Sequence, residues 1–157
     1  MDLLADFLSR DAHRIWSASG AVRQLREPHE LARLVAAIDR IDAATRGIAL
    51  GGLVGPNSRH LEFALRKLRF VRDVGGACLC ALYAQDDLFD PEREAREGHV
   101  AIVSRDVPAY RLACRCTGCA AAWDVEEREY HFPWWIWTRR GDGQGDRPGA
   151  QVSAGGC

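Results

Sequence analysis

Apolar positions recur at helical spacing through the first half of the chain and in short, strand-like runs through the second. Leu3, Leu4, Phe7, Leu8, Ala12 and Ile15 predict an amphipathic helix over residues 2–18, with Asp2 as its cap and Gly20 as its stop. Pro28, behind Glu27, opens a second helix whose stripe is Leu31, Leu34, Val35, Ile38 and Ile41, closed by Gly47. A third runs from Asn57 or Ser58 to about Asp73, with Leu61, Ala64, Leu65, Leu68 and Val71 inward. Its outer face alternates in sign through Arg59, Glu62, Arg66, Arg69 and Asp73, the pattern of a solvated, salt-laced surface. Stripes of this kind are read as core, not as cofactor or partner grooves. Residues 48–56 carry Gly51, Gly52 and Gly55 and form a connection. They lack the Lys-Ser/Thr pair of a phosphate-cradling loop.

After Gly75 and Gly76 the periodicity changes. Residues 77–83 are short, apolar and bounded by turn signals, which predicts a strand. Residues 86–98 are acidic, contain Pro91, and predict a loop with a helical turn. Residues 100–103 and 110–114 are the next strands, and residues 123–128 and 130–137 are expected to close the sheet as a hairpin. From Gly141 the chain is Gly-rich and polar, so residues 141–157 are expected to be a disordered tail, with Cys157 outside any site.

The cysteines change this picture from an ordinary small domain to a metal-bearing one. Five of six lie in two clusters, Cys78-Leu79-Cys80 and Cys114-Arg115-Cys116-Thr117-Gly118-Cys119. Tetrahedral zinc takes four thiolate or imidazole ligands, delivered by two short knuckles. C-x-x-C presents two on a tight turn, where Gly118 is expected to supply backbone freedom. C-x-C presents two from one face of a strand. The expected tetrad is Cys78, Cys80, Cys116 and Cys119 around Zn2+. Cys114 competes with Cys116, because both project from one strand face, and thiolates alone do not separate zinc from iron. The knuckles resemble those of zinc ribbons over about forty residues, with C-x-C standing where C-x-x-C is usual.

At 157 residues, 47% hydrophobic and 27% charged, the composition is that of a soluble globular chain long enough to bury a core. No apolar run reaches the ~20 residues of a membrane span. Asp2, Asp6, Arg10 and Asp11 interrupt the first residues, so no secretory leader is expected and the location is read as cytoplasmic. A reducing compartment favours metal over disulfides. Lys67 is the only lysine, and abundant arginine and alanine suggest a GC-rich bacterial genome. The net charge of −1 hides an asymmetry. Residues 1–73 hold 12 Lys/Arg against 9 Asp/Glu, and residues 74–157 hold 9 against 13. An acidic metal-bearing half disfavours nucleic acid.

Other chemistry is less well provided for. Asp86-Asp87-Leu88-Phe89-Asp90 resembles the magnesium-binding D-D-x-x-D of terpenoid synthases, but those are large helical bundles and the likeness spans five residues. Solvation of a loop, or contact with a basic partner, is the expected role. A zinc hydrolase would need an open metal position and a base, with His99, His131, Glu127 and Glu129 as candidates; four thiolates close a site, and the H-x-E and P-C-x-x-C of deaminases are missing. A dithiol redox site at Cys116 and Cys119, before Ala120-Ala121-Ala122, leaves the other thiols without a role.

Tyr130-His131-Phe132-Pro133-Trp134-Trp135-Ile136-Trp137 is the most aromatic stretch. Alternation puts Tyr130, Phe132 and Trp134 on one face and His131, Trp135 and Trp137 on the other, one face for the core and the other for a binding surface.

The expected fold is α+β: one domain over residues 1–140, with three N-terminal helices (residues 1–73) packed with a small antiparallel sheet (residues 74–140) that carries the zinc-ribbon-like site. The expected function is a non-enzymatic protein-binding module of immunity-protein or adaptor type. Its partner would be engaged through an acidic, Trp-rich surface. A nucleic-acid-binding zinc ribbon using Arg59, Arg66, Arg69 and Arg72 is the alternative, and a zinc-dependent hydrolase the second.

Overall fold

Asp2, Asp11 and Glu27 each turn a carboxylate onto the free backbone N–H groups of the helix that follows, and these caps set the boundaries of the N-terminal half. The computed structural model describes residues 2–52, 57–129 and 133–141. The chain divides into two units, Met1–Ala77 and Cys78–Cys157. The first is helical, the second carries a four-stranded antiparallel sheet, and the fold class is α+β. No helix among the described residues is long and apolar enough to cross a membrane.

The three helices expected in the first unit are five. The stretch over residues 2–18 is broken, because Arg10 adopts φ 60° and Asp11 caps a new start, accepting from the Arg14 N–H at 2.8 Å. The result is α1 (Leu3–Leu8) and α2 (Ala12–Gln24). Side chains such as Asp and Ser compete with the helix for backbone groups, and here they win over the apolar periodicity. Gly20 does not stop α2, which continues to Gln24. The second stripe divides at Ala37 into α3 (Pro28–Ala36) and α4 (Ile38–Thr45). Glu27 caps α3 through the N–H groups of His29 and Glu30, and Gly47, at φ 75°, lies just beyond α4.

α5 (Ser58–Asp73) packs on α2, α3 and α4. Phe7, Ile15, Val22, Leu34, Ile41, Ala64 and Leu68 form the core between these helices, with Lys67 fully buried among them. On the outer face Arg69 pairs with Asp42, and Arg72 with Asp73 and Asp39.

The second unit opens with a 3₁₀ helix, Leu79–Gln85, in place of the strand expected over residues 77–83. Its backbone bonds locally, as in the Ala81 N–H to the Cys78 carbonyl at 3.1 Å, and Cys80, Leu82 and Tyr83 turn inward. A strand would need a ladder partner for those groups, whereas the 3₁₀ turn satisfies them within the segment. The acidic loop contains α6 (Pro91–Arg96), capped by Asp90. The strands β1 (Val100–Asp106), β2 (Arg111–Cys116), β3 (Ala122–Glu129) and β4 (Pro133–Arg139) follow as a meander in the order β1-β2-β3-β4. A bulge interrupts β1 between Ile102 and Ser104.

One face of this sheet is the core. Trp123, Val125 and Trp137 are buried against Tyr83 and Phe89, with the Tyr83 and Trp137 rings 4.4 Å apart. Two of the three polar ends of these aromatics are satisfied inside: Tyr83 donates to Glu94 Oε2 at 2.7 Å, and Trp137 Nε1 donates to the Phe89 carbonyl at 2.8 Å, whereas the buried Trp123 Nε1 has no partner among the described residues. Such pairing is what makes large amphipathic rings tolerable in a core. Alternation in the aromatic stretch holds for Trp137, which is buried, and for Trp135 on the same face. Tyr130, His131, Phe132 and the tail from Asp142 to Cys157 lie outside the described residues.

Candidate metal centre

The register of the meander gathers the turns at two ends of the sheet. Val100 stands opposite Cys116, and Arg115 opposite Ala122, so the β2–β3 turn closes one end beside the start of β1. The C-x-x-C knuckle is that turn. It is pinned by Cys116 N–H to the Ala121 carbonyl at 2.8 Å and Ala120 N–H to the Cys116 carbonyl at 3.0 Å. Thr117 ties it to the segment before β1, its Oγ1 donating to the carbonyls of Gly98 at 2.8 Å and His99 at 3.0 Å. Threonine 117 carried no signal in the sequence, because its partners lie 18 and 19 residues away.

The left-handed residue of the knuckle is Ala120, at φ 60°, and not Gly118. A Cβ at Gly118 would stand 3.7 Å from Cys78 Sγ and 3.9 Å from Cys116 Sγ, which is ordinary van der Waals contact, so neither the backbone nor the sulfurs require glycine at this position.

The sulfurs of Cys78, Cys80, Cys116 and Cys119 all lie within 4.8 Å of one another. Cys78 Sγ is 3.5 Å from Cys116 Sγ, and Cys80 Sγ is 3.4 Å from Cys119 Sγ. A disulfide has its sulfurs about 2.05 Å apart, so these are separate thiols. A tetrahedron with metal–sulfur bonds of about 2.3 Å places its sulfurs roughly 3.8 Å apart. The cluster therefore has the dimensions of a four-thiolate metal site and could hold an ion.

The electrostatics of the four positions differ. Burial raises the thiols of Cys78 and, more strongly, Cys80. Cys119, exposed on the knuckle, is brought down to about 7, chiefly because the Ala121 N–H donates to its sulfur. A buried thiolate needs a compensating positive charge, and a divalent ion at the centre supplies it.

Cys114 does not join the group. It stands opposite Ile102 and Trp123 in the sheet, buried, with its thiol pushed up to about 11 mainly by that burial. The two-residue offset from Cys116 moves it about 7 Å down the strand. Glu127 and Glu129, the sequence's candidates for a base, lie five and seven positions along β3 from Ala122, toward the opposite end of the sheet. Of the candidate histidines, His99 contributes its carbonyl to Thr117 and places Nε2 3.5 Å from Glu97, and His131 lies outside the described residues. The acidic motif is built from backbone caps. Asp86 accepts from the Leu88 N–H at 3.0 Å, and Asp90 from the Glu92 N–H at 2.8 Å.

Comparison with family models, with curated proteins and with solved structures finds no match for this chain.

Proposed function

We propose that the second unit is a zinc-stapled protein-binding module, of adaptor or immunity-protein type, whose metal is structural. The observation that carries the proposal is the gathering of four sulfurs from two distant segments within 4.8 Å. Four protein ligands complete a tetrahedral shell and leave no position for an activated water, so the ion contributes folding energy and no chemistry.

The binding surface is assigned to the end of the sheet away from the cysteines, where Trp134 and Trp135 are half-buried and Val107, Tyr110 and Ile136 are exposed. Half-exposed tryptophan and tyrosine are the residue types enriched at interface hot spots. The cleft beside Trp135 and Tyr110 carries four carboxylates against two arginines, which favours a protein partner with basic groups over nucleic acid.

Two measurements test this reading. Elemental analysis of purified protein should return one zinc per chain, lost together with cooperative folding in Cys78→Ser and Cys119→Ser. Photo-crosslinking from a probe placed at Val107, which is exposed at that end of the sheet, followed by purification of the adduct and reconstitution with the isolated partner, should give a zinc-dependent complex. Stable folding without metal, or salt-dependent binding of oligonucleotides in place of protein, overturns it.

A further inference from the structure

At the end of the sheet remote from the cysteines, the core face runs on past the cover of the 3₁₀ helix and α6 and opens as a cleft of about 450 Å³. That is within the roughly 300–1,000 Å³ typical of ligand sites. Three residues stand side by side across it. The Glu127 N–H donates to the Tyr110 carbonyl at 2.8 Å, and Glu127 faces Trp135 directly in the β3–β4 register. All three line the cleft, with Val107 and Leu112 as apolar neighbours. Tyr110 is 67% exposed and Val107 74%, unusual values for large apolar side chains, and Tyr110 is held at φ 52° by the β1–β2 turn.

The charges in the cleft are accounted for one by one. Asp90, Glu92, Asp106 and Glu127 bring four carboxylates against the two guanidinium groups of Arg105 and Arg111. Asp90 is spent on the cap of α6, and Asp106 accepts from the Ala109 N–H. Glu92 and Arg105 neutralise each other in a two-point pair. Arg111 stands opposite Glu126 in the sheet, but Glu126 is taken by Arg128 at 2.7 Å, so Arg111 makes no ion pair among the described residues and leaves the cleft with more negative than positive charge. The Glu127 carboxylate is left without a side-chain partner among the described residues, between a tyrosine and a tryptophan.

A carboxylate flanked by two aromatic rings is the chemistry that holds a cation: the ring faces attract positive charge, and the carboxylate supplies the counter-ion. We propose that this cleft receives an arginine or lysine side chain from an extended segment of the partner protein, with Tyr110 and Trp135 as the walls and Glu127 as the ion partner. The net negative cleft selects the sign of the charge, and Val107 and Leu112 take the apolar flank of the same segment. The inference rests on the protein-binding reading above and names the chemistry that the partner must present.

The test uses the zinc-loaded full chain on an array of octapeptides with a fixed central residue and all other positions mixed. The central residue is arginine, lysine, citrulline or glutamate. Arginine and lysine should retain about five- to tenfold more protein than citrulline, the neutral isostere of arginine, and glutamate least. Glu127→Gln and Tyr110→Ala should each abolish that preference, while Glu129→Gln, which removes the same charge outside the cleft, should preserve it. Equal retention of arginine and citrulline, or a preference that survives Glu127→Gln, overturns the cleft assignment. Binding of single-stranded oligonucleotides that strengthens in Glu127→Gln overturns it in favour of nucleic acid. A crosslinked partner that binds Glu127→Gln as well as wild type would overturn this inference and leave the broader reading standing; failure of the wild-type, zinc-loaded chain to bind any protein partner would remove both.

Discussion

Lys67, in the middle of α5, donates its ammonium to the carbonyl of Val22 at 2.8 Å, in the last turn of α2. The same group reaches the carbonyls of Arg23 at 3.0 Å and Leu25 at 2.5 Å. The final carbonyls of a helix have no partner within it and carry the negative end of its dipole. A fully buried ammonium meets that need and is itself satisfied by three acceptors. These bonds cap the end of α2 at Gln24 and Leu25, beyond Gly20.

Lys67→Met should therefore destabilise the chain by roughly 2–4 kcal/mol, since it strips a buried set of carbonyls of their donor while keeping the volume. Chemical denaturation measures the loss. An independent check uses amine-reactive labelling: native protein should be modified only at its N-terminus, and Lys67 should label only with global unfolding. Rapid native labelling of Lys67 would contradict the burial.

The two cysteines at alternate positions of β2 should behave differently. Cys116→Ser should lose the metal and with it the cooperative fold of the second unit, whereas Cys114→Ser should keep full metal stoichiometry and lose about 1–3 kcal/mol from placing a hydroxyl in an apolar core. Metal analysis with a colorimetric chelator, run beside thermal melts, separates the two outcomes.

Ala120 holds a left-handed conformation that costs an L-residue roughly 1 kcal/mol and glycine nothing. Ala120→Gly should relieve that cost, offset in part by the greater freedom of the unfolded chain, for a net gain of about 0.5 kcal/mol. Slower zinc release to a competing chelator, or a higher denaturation midpoint, is the expected result. A fall in stability would show that the methyl group packs.

Asp2 is one of three carboxylates of the first unit, with Glu27 and Asp73, that folding holds below the ordinary value. The Ala5 N–H and the Arg33 guanidinium bond to its carboxylate and hold it below its ordinary value of 3.8. A carboxyl lowered by folding stabilises the native state above its unfolded pKa, and that contribution is lost as pH falls through the folded value. The melting temperature should thus decline on acidification below about pH 4, and Asp2→Asn should lower it at pH 6 while flattening the decline. An unchanged acid profile in the variant would assign the acid sensitivity to other carboxylates.

What the residues alone determine is local. The two cysteine knuckles, the cap at Asp2, the first-turn Pro28, the α+β division near residue 75 and the four strands follow from spacings of a few residues, which the backbone translates directly into turns, stripes and alternation. Local competition decided other points against periodicity: Asp11 and Ala37 break two helical stripes, and a 3₁₀ turn takes the place of the first knuckle's strand. Tertiary structure alone decided which sulfurs meet. The 33 residues between the cysteine clusters leave their relative placement open until the β1–β2 register sets Cys116 beside the 3₁₀ helix and turns Cys114 into the core. The same holds for Lys67, whose carbonyl partners are 42 to 45 residues away, and for the row Tyr110, Glu127 and Trp135, contributed by three separate stretches. A spacing rule reaches along one element, whereas a site assembled across strands depends on register and packing, which no short window of sequence contains.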